Sequence, residues 1–273
     1  MSTAPEIPGP ARILFAAGII GLGLQNLILT DFLWLEPVPA WLPARKVWAS
    51  ATGIALILAS LSILVDRKTR PGAGALGLVL FLWALVLHLP ILIREPGNGG
   101  AWGTAFKIIA LAGAAWLLAA VSTDDRGSVD RRESFVSKMA TPARVGFGIA
   151  LLVFGILHFV YHDYIASLIP AWIPGSAYWP WFTGVAHIAT GASILTTVKG
   201  HLGATLLGLM YGLWALMLHM PRVAADADNA QEWTDLFMAV ALCGGALLVA
   251  GSMPVAGRNR GHEIGPTASE SSQ

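Results

Sequence analysis

Apolar residues run through this chain in long uninterrupted blocks, and polar residues gather in short clusters between them. Runs of roughly 18 or more apolar residues can cross a bilayer as a helix. Eight such runs are read, at about 12–30, 47–65, 73–93, 103–121, 144–162, 179–197, 202–221 and 233–252. The prediction is an all-α, polytopic membrane protein with eight transmembrane helices. Proline-rich segments separate some of the runs. Pro-Ala-Trp-Leu-Pro (39–43) and Pro-Ala-Trp-Ile-Pro (170–174) cannot be helix interior, because proline removes a donor and clashes with the preceding turn. They are read as short interfacial elements over the outer mouths of the helix bundles.

The pattern occurs twice. At an offset near 131, Pro39-Ala40-Trp41 matches Pro170-Ala171-Trp172, and Thr52-Gly53 matches Thr183-Gly184. Trp83-Ala84-Leu85 matches Trp214-Ala215-Leu216. His88 and Pro90 match His219 and Pro221, and Trp102, Phe106 and Gly113 match Trp233, Phe237 and Gly244. Four spans return the chain to its starting side, so the two repeats are expected to be parallel four-helix units. The expected division is an N-terminus at 1–10, a first repeat at 11–121, a linker at 122–142, a second repeat at 143–252 and a polar tail at 253–273.

Composition agrees: 55% of residues are hydrophobic and 12% charged, where a soluble domain carries about a quarter charged. Twelve of the lysines and arginines fall on the side of the expected termini and four on the other, with Lys107 just inside a helix. That bias makes the first side cytoplasmic. The expected location is the cell inner (plasma) membrane, multi-pass, with both termini cytoplasmic. Eight of the eleven tryptophans lie at or near the outer side. The single cysteine, Cys243, excludes an intrachain disulfide. Phosphate loops, nucleophile elbows and zinc-protease motifs are missing from the sequence, and nothing supports nucleic-acid binding.

The candidate chemistry is histidine. His201 and His262 read as solvated residues of the cytoplasmic edge and tail. His88, His158, His162, His187 and His219 fall in the outer halves of their spans. Ionisable groups at membrane depth face the bundle interior or a wet cavity. His158 and His162, four apart, are expected on one helix face. His158, His162, His187 and His219 form the candidate site in the second repeat, with His88 a weaker candidate in the first. The first repeat has Asn26, Leu56 and His88 where the second has His158, His187 and His219. Imidazoles at this depth suit a quinone carbonyl, a haem iron with His158 and His187 as the axial pair, a transition metal, or interhelical hydrogen bonds. His88 and His219, each two residues before a proline, could satisfy the backbone groups that the proline frees. Lys107 is expected to snorkel outward or to touch a substrate or headgroup. No carboxylate is expected inside a span, with Asp31, Asp163 and Asp235 at helix ends.

The stretches GILHFVYHDYIASLIPAWIPGSAYWPWFTGVAHIATGASIL and LHMPRVAADADNAQEWTDLFMAVALCGGALLVAG resemble the DoxX family of small four-span membrane proteins. The first repeat resembles it more loosely, through Pro-Ala-Trp-Leu-Pro, Leu-His-Leu-Pro and Phe-Lys-Ile-Ile-Ala-Leu-Ala-Gly, so the whole looks like a fused tandem. The family takes its name from a membrane subunit of thiosulfate:quinone oxidoreductase. The resemblance implies a subunit of a quinone-linked redox system, with quinone as the expected cofactor, haem b as the alternative, and a redox-enzyme partner besides the lipid bilayer. His187 stands where the family often has glutamate. Two other readings stay open: a non-catalytic membrane scaffold for a redox enzyme, and a binder or permease for a small apolar molecule.

Overall fold

The computed structural model describes residues 8–65, 69–122 and 138–254. The expected linker 122–142 and tail 253–273 therefore lie mostly outside the described residues. Among the described residues helix is the only regular secondary structure. The long helices are α1 (Gly9–Leu29), α2 (Arg45–Val65), α3 (Thr69–Arg94), α4 (Gly99–Val121) and α5 (Ala140–Val160). A short α6 (His162–Ser167) follows, then α7 (Trp179–Thr196), α8 (Gly200–Ala225) and α9 (Ala230–Ser252). Seven of them are long and apolar enough to cross a membrane, and the chain is an integral, multi-pass membrane protein. The expected eighth run, 179–197, is occupied by the 18-residue helix α7, which is not among the seven.

The helix ends follow local chemistry. Pro10 and Pro180 sit in the first turns of α1 and α7, where a missing N–H costs nothing. Asn98 caps α4 by accepting from the Ala101 N–H at 3.0 Å, and Asn229 caps α9 by accepting from the Gln231 N–H at 3.0 Å. Proline also shapes α3 and α8. Each contains one π-helical turn, Ala84–His88 and Ala215–His219, immediately before Leu89-Pro90 and Met220-Pro221. The wider turn lets the helix continue past a residue that cannot donate. Neither histidine satisfies its own helix, contrary to the expectation from sequence. Among the described residues the His219 Nδ1 and the His88 Nε2 are buried without partners.

The helices form a closed ring, each against its neighbours: α1–α2–α3–α4–α5–α7–α8–α9 and back to α1, with α4 and α9 also touching across the middle. α4 and α9 are the central pair, 67% buried, whereas α2, α3 and α8 are 28% buried and face outward. Glycine makes the closest approaches. A Cβ on Gly18 of α1 would lie 2.5 Å from the Ala241 backbone of α9, and one on Gly113 of α4 would lie 2.6 Å from the Ala143 carbonyl of α5. Polar clamps reinforce both seams. Gln25 of α1 donates to the Ala230 carbonyl (2.8 Å) and accepts from the Thr234 hydroxyl (3.0 Å). Tyr161, after α5, accepts from the Gly99 N–H (3.1 Å) and donates to the Gly97 carbonyl (3.0 Å) at the start of α4.

Candidate functional site

A cavity of about 630 Å³ opens among α4, α5, α7, α8 and α9. At ~1.5 Å per residue, it reaches from the helix ends near Gly99 and Trp179 down roughly 20 Å to Tyr211 and Leu242. Its volume lies within the range of small-molecule pockets. Leu218, Met238, Ala239 and Leu242 line it with apolar surface, while Lys107, Arg222 and Asp235 supply charge. The structure brings His158, His187 and His219 together here.

Each ring is set by its helix. The His187 Nδ1 lies 2.6 Å from the Thr183 carbonyl, one turn back on α7, and the His158 Nδ1 lies 2.7 Å from the Phe154 carbonyl on α5. A carbonyl only accepts, so Nδ1 carries the proton in both rings. Nε2 of a neutral ring is then an acceptor. The Tyr211 hydroxyl of α8 fills that place at His187, donating to Nε2 at 3.0 Å. Among the described residues His158 has no such donor, and its ring lines the cavity. The His158 and His187 ring centroids are 4.9 Å apart with planes tilted by 35°, and Phe154 meets His187 edge-on at 5.8 Å.

His162 stands apart. α5 ends at Val160, and Tyr161 leaves helical geometry at φ −109° and ψ 32°. The four-residue spacing therefore does not place His158 and His162 on one face. His162 instead opens α6, with Nδ1 2.9 Å from the Asp163 carboxylate, Nε2 2.7 Å from the Ala177 carbonyl and its ring against Trp181. The Asp163 carboxylate, helped by the Ala177 carbonyl, raises its pKa above the ordinary histidine value. His201 is not simply solvated: its Nδ1 reaches the Ala250 carbonyl near the end of α9 at 2.9 Å. His262 lies outside the described residues.

His88 is buried in the other bundle, hydrogen-bonded to the Leu35 backbone. There the segment after α1 folds inward, burying Leu33, Leu35 and Glu36. Glu36 accepts from the Leu33 N–H (2.9 Å) and from Asn26 Nδ2 (3.1 and 3.3 Å). In sequence Asn26 and His88 align with His158 and His219, and here the chain itself, through Leu33, Leu35 and Glu36, is what is buried beside them. Desolvation pushes Glu36 up to about 7, against the Leu33 and Asn26 hydrogen bonds that favour the carboxylate.

Sequence reasoning missed several cavity residues. Tyr211 was a single phenol in an apolar helix, and only the α7–α8 packing gives it a partner. Asp235 sits in the second turn of α9 rather than at its end, lining the cavity with no ion-pair partner within 4.0 Å among the described residues. Arg222 also lines it, held by Glu232 in a two-pronged pair at 2.8 and 2.7 Å. Lys107 turns inward to the cavity, its ammonium 5.5 Å from the ring centre of Trp34. Lys107 and Trp34 lie in the first half of the chain and the three histidines in the second, so both halves line the cavity.

The described residues contain no group of three or more histidine, cysteine or carboxylate side chains placed to hold a metal. Axial haem ligation by His158 and His187 also fails on geometry. Two axial imidazoles must approach one iron from opposite faces of the macrocycle, and rings packed at 4.9 Å leave no room for it. The cavity offers a ligand the ammonium of Lys107 as donor and the open His158 Nε2 as acceptor.

A family model described as a domain of unknown function, DUF8561, matches residues 147–255. It covers less than half of the chain but takes in every histidine of the cavity. No curated protein and no solved structure matches the chain.

Proposed function

We propose that this chain is an eight-span membrane protein of two parallel four-helix repeats, DoxX-like, which binds a quinol in the second repeat as part of a quinone-linked redox system. The span count rests on α7, which packs between α5 and α8 as the other long helices pack between their neighbours. An even count puts both termini on one side, and the charge bias makes that side cytoplasmic, in the plasma membrane.

The observation that carries the ligand reading is the open Nε2 of His158 beside a donor cation. Nδ1 of that ring is committed to the Phe154 carbonyl, so Nε2 accepts a hydrogen bond from a ligand hydroxyl. If the ring takes the proton, the Phe154 carbonyl holds the imidazolium in place. Lys107 binds a carbonyl or phenolate oxygen on the same ligand. Tyr211 holds His187 and keeps its Nε2 from competing. A bound quinol would supply the electrons and protons that a redox-enzyme partner consumes. A scaffold with no ligand would have no need of a 630 Å³ cavity that holds three histidines.

The test uses a benzoquinol without a tail, added to the purified protein. Trp34, Trp179 and Trp214 line the cavity, so binding quenches intrinsic fluorescence. His158→Phe keeps the ring volume and removes the acceptor. It is expected to weaken binding roughly tenfold, about 1.4 kcal/mol. No quenching in the native protein, or equal affinity in the variant, would sink the reading.

A further inference from the structure

A second depression lies on the lipid-facing side of the same bundle. It runs between α7 and α8, with a volume of about 550 Å³. It extends from Trp179 at one end of α7 to Lys199 just beyond the other. The 18 helical residues of α7 at ~1.5 Å each make roughly 27 Å, close to the thickness of a hydrocarbon core. Ala186, Ala189 and Gly203 keep its floor low, and Leu206, Leu209 and Met210 are among its walls. Its two hydroxyls are already used: Ser193 donates to the Val198 carbonyl at 2.9 Å and Thr190 faces the Gly203 carbonyl at 3.5 Å. Between Trp179 and Lys199, which stands at the far end, a polar ligand finds no free side-chain group, whereas a linear hydrocarbon finds apolar surface throughout.

The groove and the histidine cavity share two side chains, Trp179 and Trp214. Their rings meet edge to face at 5.3 Å and 85°. The Trp179 N–H is committed to the Pro174 carbonyl at 3.1 Å, so that indole offers only its ring surface. α7 and α8 also pack less closely than α5 and α7 do. Two indoles thus form an apolar partition, in the looser seam, between a pocket with polar groups and a trough that faces the acyl chains.

We infer that the ligand of the histidine cavity is an amphiphile with a long, linear hydrocarbon tail, which leaves the cavity by parting the Trp179–Trp214 pair in this looser seam and lies in the α7–α8 groove. The ligand then reaches its site sideways from the bilayer. This rests on the quinol reading of the head site and adds the tail, its route and its resting place. The cavity holds the head and the groove holds the tail, and neither space alone accommodates both chemistries.

The experiment uses the full chain in lipid nanodiscs and a benzoquinol whose ten-carbon tail ends in a photoactivatable diazirine. After irradiation, adducts are mapped by mass spectrometry. The expected result is labelling at Ala186, Ala189, Leu206 or Met210 that falls at least tenfold when excess tail-less benzoquinol is added. Labelling at Leu58, an exposed residue of α2, stays constant. Ala189→Phe, which fills the trough from the face of α7 turned away from His187, abolishes the groove adducts but leaves tail-less quinol binding unchanged. Groove labelling that ignores the competitor overturns the tail assignment, since ordinary lipids then share the groove, while the head site stands. If the tail-less quinol fails to bind the native protein, head site and tail route fall together.

Discussion

Two buried residues show how much one polar atom decides in this molecule. Tyr211 contributes a single hydroxyl, yet it fixes the acceptor face of His187. Tyr211→Phe leaves that Nε2 without a donor. Interhelical hydrogen bonds in bilayers are worth about 0.6 to 2 kcal/mol, so the variant is expected to fold with a loss of about 1 kcal/mol. The freed Nε2 then competes with His158 for the ligand hydroxyl. Thermal unfolding and quinol titration of the same sample check both effects, and a variant that fails to fold would contradict the modest cost. Glu36 acts in the other bundle. Its pKa rises from 4.5 to about 7 because burial disfavours the carboxylate. Between those values the folded chain holds a proton that the unfolded chain has released. The stability is therefore full below pH 4.5, declines as pH rises, and is lowest above 7, a span of about 3 kcal/mol. Arg45 is the cation that works against this rise, and it is partly engaged by Asp31 at 2.6 Å. Glu36→Gln keeps an acceptor for the Leu33 N–H and carries no charge. Its unfolding temperature should be flat from pH 5 to 8 and above that of the native chain at pH 8. Matching pH profiles for the two proteins would show that Glu36 does not titrate in this window.

At the scale of the helix, the repeat is built from contacts that cross it. Gly113 on α4 and Gly244 on α9 are equivalent residues. Each lets its helix lie against the first helix of the other repeat, at Ala143 in one seam and at Leu14 and Phe15 in the other. A side chain at either glycine collides with backbone, which cannot swing aside as a rotamer can. Gly244→Leu is expected to cost more than 3 kcal/mol and to lower the yield of folded monomer in size-exclusion chromatography. Gly74, where a Cβ would have nothing within 4 Å, is the matched control, and Gly74→Leu should change stability by less than 1 kcal/mol. Equal behaviour of the two variants would dismiss the close approach. The helices themselves were legible in the sequence, because apolar run length is nearly all that a span requires. The ends of those runs were less so. The run at 144–162 reads straight through Val160, where the structure turns away, so His162 was assigned to a helix face it does not share. Hydrophobicity records where a chain is dry; it does not record where it bends. The π turns at Ala84–His88 and Ala215–His219 were hidden for the same reason, since proline signals a disruption but not the form that absorbs it.

The whole molecule explains why the site was only partly readable. His158, His187 and His219 announce themselves as imidazoles in apolar runs, and the duplication shows that the second half alone has all three. Lys107 and Trp34 do not. They belong to the first half, and they enter the second bundle only because α4 closes it across the repeat boundary. The filling of the first bundle by Leu33, Leu35 and Glu36 is likewise a matter of loop path, which sequence pattern leaves open. The same ring of helices gives a test of the membrane arrangement. Seven helices pass on length and apolarity, while α7 has the length and carries His187 with a Trp-Pro-Trp start. If α7 spans, the chain crosses eight times and both ends share a side. If it does not, the ends lie on opposite sides and α8 and α9 are inverted relative to α3 and α4. That inversion would separate the equivalent caps Asn98 and Asn229, which the closed ring needs at the same depth so that α4 and α9 can lie side by side. Reporters fused in turn to the N-terminus and the C-terminus discriminate the cases. A fluorescent protein that folds only inside the cell should light at both ends, and a phosphatase active only outside should be silent at both. Opposite signals at the two ends would remove α7 from the membrane. The histidine cavity, whose wall α7 supplies, would then need another description.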